Sequence, residues 1–308
     1  IQDELNHPSL LSANSRPRPY PVISLVHHLR CSEQRPTWQN WFYSLIEKRY
    51  LDSVDGFIFN SKTTQRVVNS LIVGSKPSVV AYPPTDRFGQ GITEAEIETR
   101  AKKPGPLRVL FLGNLIRRKG LHTLLEAVRL QMLDVRLDVI GGLTAEPKYA
   151  KEMQQKVEAP GLRSKVFFHG PLDNDDLVAK LKFAQVLVVP SSYEGYGIVY
   201  LEGMGFGLPA IGTSAGAASE IISDGQTGFL VPPDDARTLA DRLSMLVNDR
   251  DLLTRMSLKA LERYRQQPTW DETAGQIREF LHVIARSKAT NQSPNKREIA
   301  TPPNGGSQ

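Results

Sequence analysis

In the second half of the chain the apolar positions concentrate in short runs at 107–112, 135–141, 165–168, 185–190, 208–212 and 227–231, interrupted inside only by single polar residues such as Arg108, Arg136 and Asp138. Segments with the three-and-four spacing of one helix face follow them, at 120–130, 147–158, 175–183, from 197 onward, 234–248 and 250–265. An apolar run with no polar alternation predicts a strand buried on both sides, and a helix after each run predicts crossovers between parallel neighbours. The expected architecture is a doubly wound α/β domain, which takes ligands at the carboxyl ends of its strands.

The first half is less regular. Residues 22–26 form a β-branched run between Pro21 and the pair His27-His28, and they predict a strand. Apolar residues at 38, 41, 42, 45 and 46 predict an amphipathic helix. Its aromatic face could lie on a membrane, but the commoner arrangement, a stripe facing the core, is the expectation. Residues 56–60 and 78–82 predict further strands, with Ser61 capping a helix to about residue 72 between them. Residues 1–20 lack a period and are expected to be the end of a loop. A proline-bounded connector spans 83–106, with Thr93 and Glu96 spaced as a capping box. The expected domains are 1–104, a partial N-terminal Rossmann-like unit with its connector, and 105–270, a complete one. A C-terminal helix at 271–285 and a disordered tail at 286–308 complete the division.

Composition narrows the class. A length of 308 residues suits about two domains, and 40% hydrophobic with 23% charged residues fits a globular chain rather than a disordered or fibrous one. The net charge of +5 is uneven: Arg286, Lys288, Lys296 and Arg297 against Glu298 place +3 of it after residue 285, leaving +2 for the rest. That argues against a nucleic-acid partner. The single cysteine, Cys31, allows no internal disulfide, and no Cys/His spacing reads as a zinc site. No charged-then-apolar leader is visible and the chain opens on Ile1, so the expectations are a fragment and a cytoplasmic location.

Two strand-to-helix turns carry candidate chemistry. Gly113-Asn-Leu-Ile-Arg-Arg-Lys-Gly120 brings Asn114, Arg117, Arg118 and Lys119 to the mouth of the sheet. Cations are unfavourable at a helix start unless an anion joins them, so the turn is either a solvated basic loop or half of an anion site. Ser191 to Glu202 follows the next strand but two; Gly195 and Gly197 let backbone approach a ligand, while Glu194 and Glu202 can aim at one pocket. Paired carboxylates suit sugar hydroxyls as donors of hydrogen bonds, leaving phosphates to N–H groups and Lys119. Asp173-Asn-Asp175 matches a metal-binding Asp-x-Asp pattern, but it opens a helix and is read as a cap.

The run Glu194-Gly-Tyr-Gly-Ile-Val-Tyr-Leu-Glu202 resembles the Glu-x7-Glu motif of family 4 glycosyltransferases, which have the two-domain GT-B fold. The resemblance extends to FLGNLIRRKGLHTLLEA, GMGFGLPAIGTSAGAASEII and DGQTGFLVPP and covers about residues 20–285. It implies transfer of a sugar from a UDP- or GDP-sugar to a sugar or lipid-linked acceptor, with retention at the anomeric carbon and neither metal nor cofactor. By position, Glu202 would hold the ribose, Glu194 would face the donor sugar, and Gly195, Tyr196, Gly197 and Ile198 would present N–H groups. Lys119 would neutralise the leaving diphosphate, and His27, or alternatively His28, would reach the donor sugar. The family's diphosphate arginine is replaced by Asn114, so Arg117 or Arg118 is expected to supply its charge. Base contacts are expected from Phe168-His-Gly-Pro-Leu172. The first domain is expected to be incomplete, because nothing before His27 supplies the family's opening strands and glycine-rich loop. The alternatives are a nucleotide-sugar-binding chain without catalysis, or another GT-B enzyme such as a sugar-nucleotide epimerase. Lipid-linked acceptors are compatible with peripheral membrane contact, which the weak charge of the folded part favours little.

Overall fold

The computed structural model describes residues 1–292 except 17, 34, 85, 89 and 90, with side chains through Arg286. It contains two all-parallel sheets. The first half runs β1 (Gln2–Asp3), α1 (His7–Asn14), β2 (Ile23–Val26), α2 (Thr37–Ser53), β3 (Gly56–Phe59), α3 (Lys62–Leu71) and β4 (Ser78–Val80). Its four strands lie in chain order. The connector helix α4 (Glu94–Lys102) begins with the expected capping box, Thr93 and Glu96 closing both bonds.

The second half runs β5 (Leu107–Leu112), α5 (Leu121–Leu130), β6 (Val135–Ile140), α6 (Pro147–Val157), β7 (Val166–Gly170), α7 (Asn174–Phe183) and β8 (Val186–Val188). It continues through α8 (Ile198–Met204), β9 (Ala210–Thr213), β10 (Gly228–Val231), α9 (Ala236–Asn248), α10 (Arg250–Arg265) and α11 (Trp270–Gln292). Strand order is β10-β9-β8-β5-β6-β7. The chain therefore winds outward in one direction from β5 and in the other from β8. The crevice between the carboxyl ends of β5 and β8 is the topological switch point, where such sheets bind ligands. The two turns singled out above, 113–120 and 191–197, leave those two strand ends.

The apolar runs become sheet interior: Val109, Leu110, Phe111, Val186, Leu187 and Val188 are all buried. α4 joins this core through Ile97 and Ala101. Helix α11 returns to the first sheet and sets Phe280, Leu281 and Ile284 against Ile23, Ile58 and Ala81. Asp173 accepts from the Asp176 amide at 2.9 Å, so the Asp-x-Asp pattern is a helix cap, as expected.

Three expectations need correction. Residues 1–20 are not only a loop: Gln2 and Asp3 pair with Ser24 and Leu25, and α1 packs beside α2. The strand is two residues long and the helix has no apolar stripe, so neither announces itself by period. The stripe on α2 faces outward, with Trp38 70%, Trp41 68% and Phe42 52% exposed. The inward face instead carries Glu47, Tyr50 and Leu51. Glu47 accepts from the backbone amides of Arg30 and Cys31, and the Tyr50 hydroxyl meets Ser24, so these polar atoms are satisfied inside. Finally, α11 continues as helix through residue 292, into the segment read as disordered; residues 293–308 of that tail lie outside the described residues.

Candidate active site

The turns after β5 and β8 are locked together by backbone contact. Gly120 has φ +73°, and a Cβ there would stand 2.1 Å from the Pro190 carbonyl oxygen, so only glycine permits the approach. The Ser192 amide donates to the Arg118 carbonyl at 2.8 Å. This contact delivers Lys119 to Glu194: Nζ lies 2.5 Å from Oε1. The Ser191 hydroxyl donates to the same oxygen at 2.6 Å, and the Arg118 guanidinium stands 3.9 Å from Oε2. Burial alone would raise the Glu194 carboxyl, but the Lys119 charge, the hydrogen bonds of Lys119 and Ser191, and Arg118 together hold it below the ordinary range. Glu194 is therefore a buried anion beside a fixed cation.

Glu202, in the second turn of α8, is the opposite case. Burial pushes its carboxyl up, and among the described residues Arg87 opposes this, at 3.3 Å from Oε1. Arg87 also donates to the Asn174 side chain at 2.7 Å and lies over the Phe88 ring. The residue that the resemblance assigns to the ribose is thus covered by a connector arginine.

Of the two candidate replacements for the missing arginine, the structure brings one to Glu194. Arg118 donates to the Tyr193 carbonyl at 2.7 Å and faces Glu194 and Glu33. Arg117 turns away to Glu152 and the Tyr149 ring on α6. Asn114 is exposed, and its Oδ1 accepts from the Gly142 amide at 3.2 Å. The Tyr196 ring is buried against Tyr82 and its hydroxyl meets Gln267; burial pushes it up to about 12. Gly197 takes φ +95° to start α8, and Ile198 is 43% exposed at its first turn. In the segment expected to contact the base, the His169 ring turns to Asp138 at 2.5 Å.

The first half of the molecule meets this site at Gly195. A Cβ there would stand 2.6 Å from the His27 carbonyl oxygen and 2.9 Å from the His28 Cβ. The Ser61 hydroxyl donates to the Gly195 carbonyl at 2.9 Å. The His27 ring is half exposed, 3.9 Å from Asp3, whereas His28 Nε2 contacts Glu33 at 3.0 Å. Glu33 in turn joins Arg35 and Arg118, and its carboxyl is held down at about 2, chiefly by His28 and then by Arg35, despite partial burial. Beside this bridge lies a cavity of about 340 Å³ lined by both halves, including Glu33, Arg35, Arg118, His122 and Asp234.

Several of these residues were not singled out from sequence. Ser191 sits inside the motif but has no signature of its own. Arg87 lies in the proline-bounded connector, and Glu33 follows a histidine pair whose partner was unknown. Glu220 lies in a matching segment and clasps the two halves: it accepts from the Lys62 and Thr63 amides at 3.0 and 2.6 Å, and from the Tyr82 hydroxyl at 3.1 Å. A carboxylate at the start of α3 favours the helix dipole, which explains the residue type there.

Two all-parallel α/β units, the second doubly wound with its switch-point crevice facing the first at Gly195, are the GT-B architecture. Residues 93–263 match the family model described as glycosyl transferases group 1, and the chain belongs to that family. It is 27% identical over 255 residues to the D-inositol 3-phosphate glycosyltransferase of Corynebacterium urealyticum, covering 78% of this chain and 59% of the relative. Sucrose-phosphate synthase from Thermosynechococcus elongatus superposes with a TM-score of 0.78 at 23% identity, over 93% of this chain and 73% of that one. HepE of Anabaena, solved in complex with UDP-glucose, superposes with a TM-score of 0.69 at 21% identity, over 88% and 72%. The chain spans little more than half the length of the first curated relatives it matches. Among the described residues no helix is long and apolar enough to cross a membrane.

Proposed function

We propose that the chain carries the donor site of a retaining, family 4 glycosyltransferase. It moves a hexose from a UDP- or GDP-sugar to an acceptor hydroxyl, without metal or cofactor in the chemical step. The observation that carries the reading is the convergence of Lys119, Arg118 and Glu194 at the switch point, with Glu202 one helix turn further on. A diphosphate entering the crevice meets Lys119 and Arg118 as fixed cations. As the glycosidic bond breaks, negative charge builds on the leaving diphosphate, and a preplaced ammonium stabilises it more than it stabilises the ground state. Removing one such group typically lowers kcat about 100- to 1,000-fold. Glu194, ionised, and Glu202, with its raised carboxyl, offer acceptors to the sugar and ribose hydroxyls. The Glu202 role requires Arg87 to give way to the ribose.

The donor in the HepE complex supports a nucleotide sugar here. The test is turnover with UDP- and GDP-hexoses, with product stereochemistry read by NMR. Inverted product, or a strict requirement for added Mg²⁺, overturns the reading. Binding of the nucleotide sugar without turnover in the presence of acceptors would establish the non-catalytic alternative instead.

The exposed face of α2 supports peripheral membrane contact by a cytoplasmic protein. Trp38, Trp41, Phe42 and Leu45 share that face with Arg49, with Asp52 at its far end, and Arg35 stands at its start. Indole and guanidinium groups suit the headgroup layer of an anionic bilayer. Trp38→Ser with Trp41→Ser should abolish co-sedimentation with anionic vesicles while leaving nucleotide binding intact; equal sedimentation of wild type and variant excludes this contact.

A further inference from the structure

Glu4, His7 and Glu47 come together behind β2, and all three are buried, at 0%, 1% and 1% exposure. One ligand atom from each, a carboxylate oxygen or a ring nitrogen, lies within 4.8 Å of the others. Neither carboxylate has a lysine or arginine ion pair among the described residues. Two carboxylates excluded from water need a counter-charge or a proton, since an unpaired buried anion is among the most expensive groups a fold can hold.

The hydrogen bonds around the three residues have the pattern of an outer shell around a metal. His7 Nδ1 lies 3.0 Å from the Glu4 carbonyl oxygen. A carbonyl can only accept, so Nδ1 donates this bond. Metal-ligating histidines are oriented by that kind of bond. Glu47 accepts from the Arg30 and Cys31 amides at 2.7 and 3.2 Å, and Glu4 Oε2 accepts from the His27 amide at 3.3 Å. These bonds fix both carboxylates without neutralising them. Glu4 Oε1 has no hydrogen-bond partner and no access to solvent.

From this donor set we propose that Glu4, His7 and Glu47 form a buried site for a divalent transition-metal ion. One imidazole and two carboxylates suit Zn²⁺ or a neighbouring first-row ion, whereas Ca²⁺ and Mg²⁺ prefer all-oxygen shells and, for Mg²⁺, several retained waters. The ion would be structural. It ties the turn between β1 and α1 to α2 and to the segment after β2 that carries His27 and His28, and it stands apart from the Lys119–Glu194 pair. The competing arrangement is a proton shared between Glu4 and Glu47 with no metal.

Co²⁺ is the probe, because its visible absorption reports ligand geometry. Chain stripped by chelator and titrated with Co²⁺ should bind one equivalent, develop d–d bands and gain thermal stability, and Zn²⁺ should displace the Co²⁺. Glu4→Gln and His7→Gln, each checked for native circular dichroism, should lower Co²⁺ affinity at least tenfold. Wild-type chain that binds no stoichiometric Co²⁺ or Zn²⁺ overturns the proposal, and this arm needs no variant to fold. Binding that is unchanged in both variants overturns it as well.

Discussion

Replacing Lys119 by alanine tests the contact on which the candidate active site turns. Glu194 is 6% exposed, and the Lys119 ammonium is its close cation at 2.5 Å; Arg118 is the next, at 3.9 Å. Stranding one member of a buried pair costs about 3–5 kcal/mol. The Ser191 hydroxyl and Arg118 remain, so the lower end, about 3 kcal/mol, is expected. Adding Glu194→Gln removes the stranded charge and should recover about 2 kcal/mol of that loss. Urea denaturation of the wild type, both single variants and the double variant closes the cycle. The pH dependence gives an independent sign. The native Glu194 carboxyl is held below its ordinary value. Its contribution is therefore full above the unfolded pKa of about 4.3 and is lost as pH falls through the depressed native value. In Lys119→Ala that acid-side loss should be much reduced. A Lys119→Ala variant within about 0.5 kcal/mol of wild type, or a double variant no more stable than the single one, refutes a coupled buried pair.

Other consequences follow from contacts between the two halves. Glu220→Ala strips the start of α3 of its carboxylate; it should cost about 1–2 kcal/mol and speed hydrogen exchange at the Lys62 and Thr63 amides, and unchanged exchange contradicts the clasp. Gly195→Ala would place a Cβ 2.6 Å from the His27 carbonyl and force the halves apart. Turnover should fall at least about tenfold with little change in the C-terminal core's unfolding, and full activity refutes the close approach. Glu33, its carboxyl held at about 2 chiefly by His28, should contribute stability above pH about 4.3 that disappears toward pH 2. His28→Asn should move that loss to higher pH, and an unmoved acid limb removes His28 as the cause.

The second sheet is legible because its strands are buried on both faces and so appear as predominantly apolar runs, with few polar interruptions. The same burial makes the loops after β5 and β8 identifiable as ligand-facing, and Lys119 and Glu194 belong to those loops. Pattern misled where polar residues turn inward. On α2 the apolar stripe lies outside because Glu47 and Tyr50 find partners within the fold, and periodicity cannot show which face a partner will claim. β1 escaped notice because two residues carry no period. The Glu4–His7–Glu47 cluster joins residues some forty positions apart, so no local spacing announces it. Arg87 reaches Glu202 across 115 positions of chain, a contact that only the folded connector creates. Arg117 and Arg118 are likewise separated only by the fold: adjacent residues in a tight turn point to different sides.

The central claim is that the switch-point crevice is a nucleotide-sugar site held by Glu202 and Lys119. Calorimetric titration of the chain with UDP, GDP and ADP, repeated on Glu202→Ala, tests it most directly. Binding of UDP or GDP in preference to ADP, weakened at least about tenfold in the variant, is the predicted result, since a charged acceptor's hydrogen bonds are worth about 1.5–3 kcal/mol. Equal binding by wild type and Glu202→Ala, or no binding of either UDP or GDP, contradicts it.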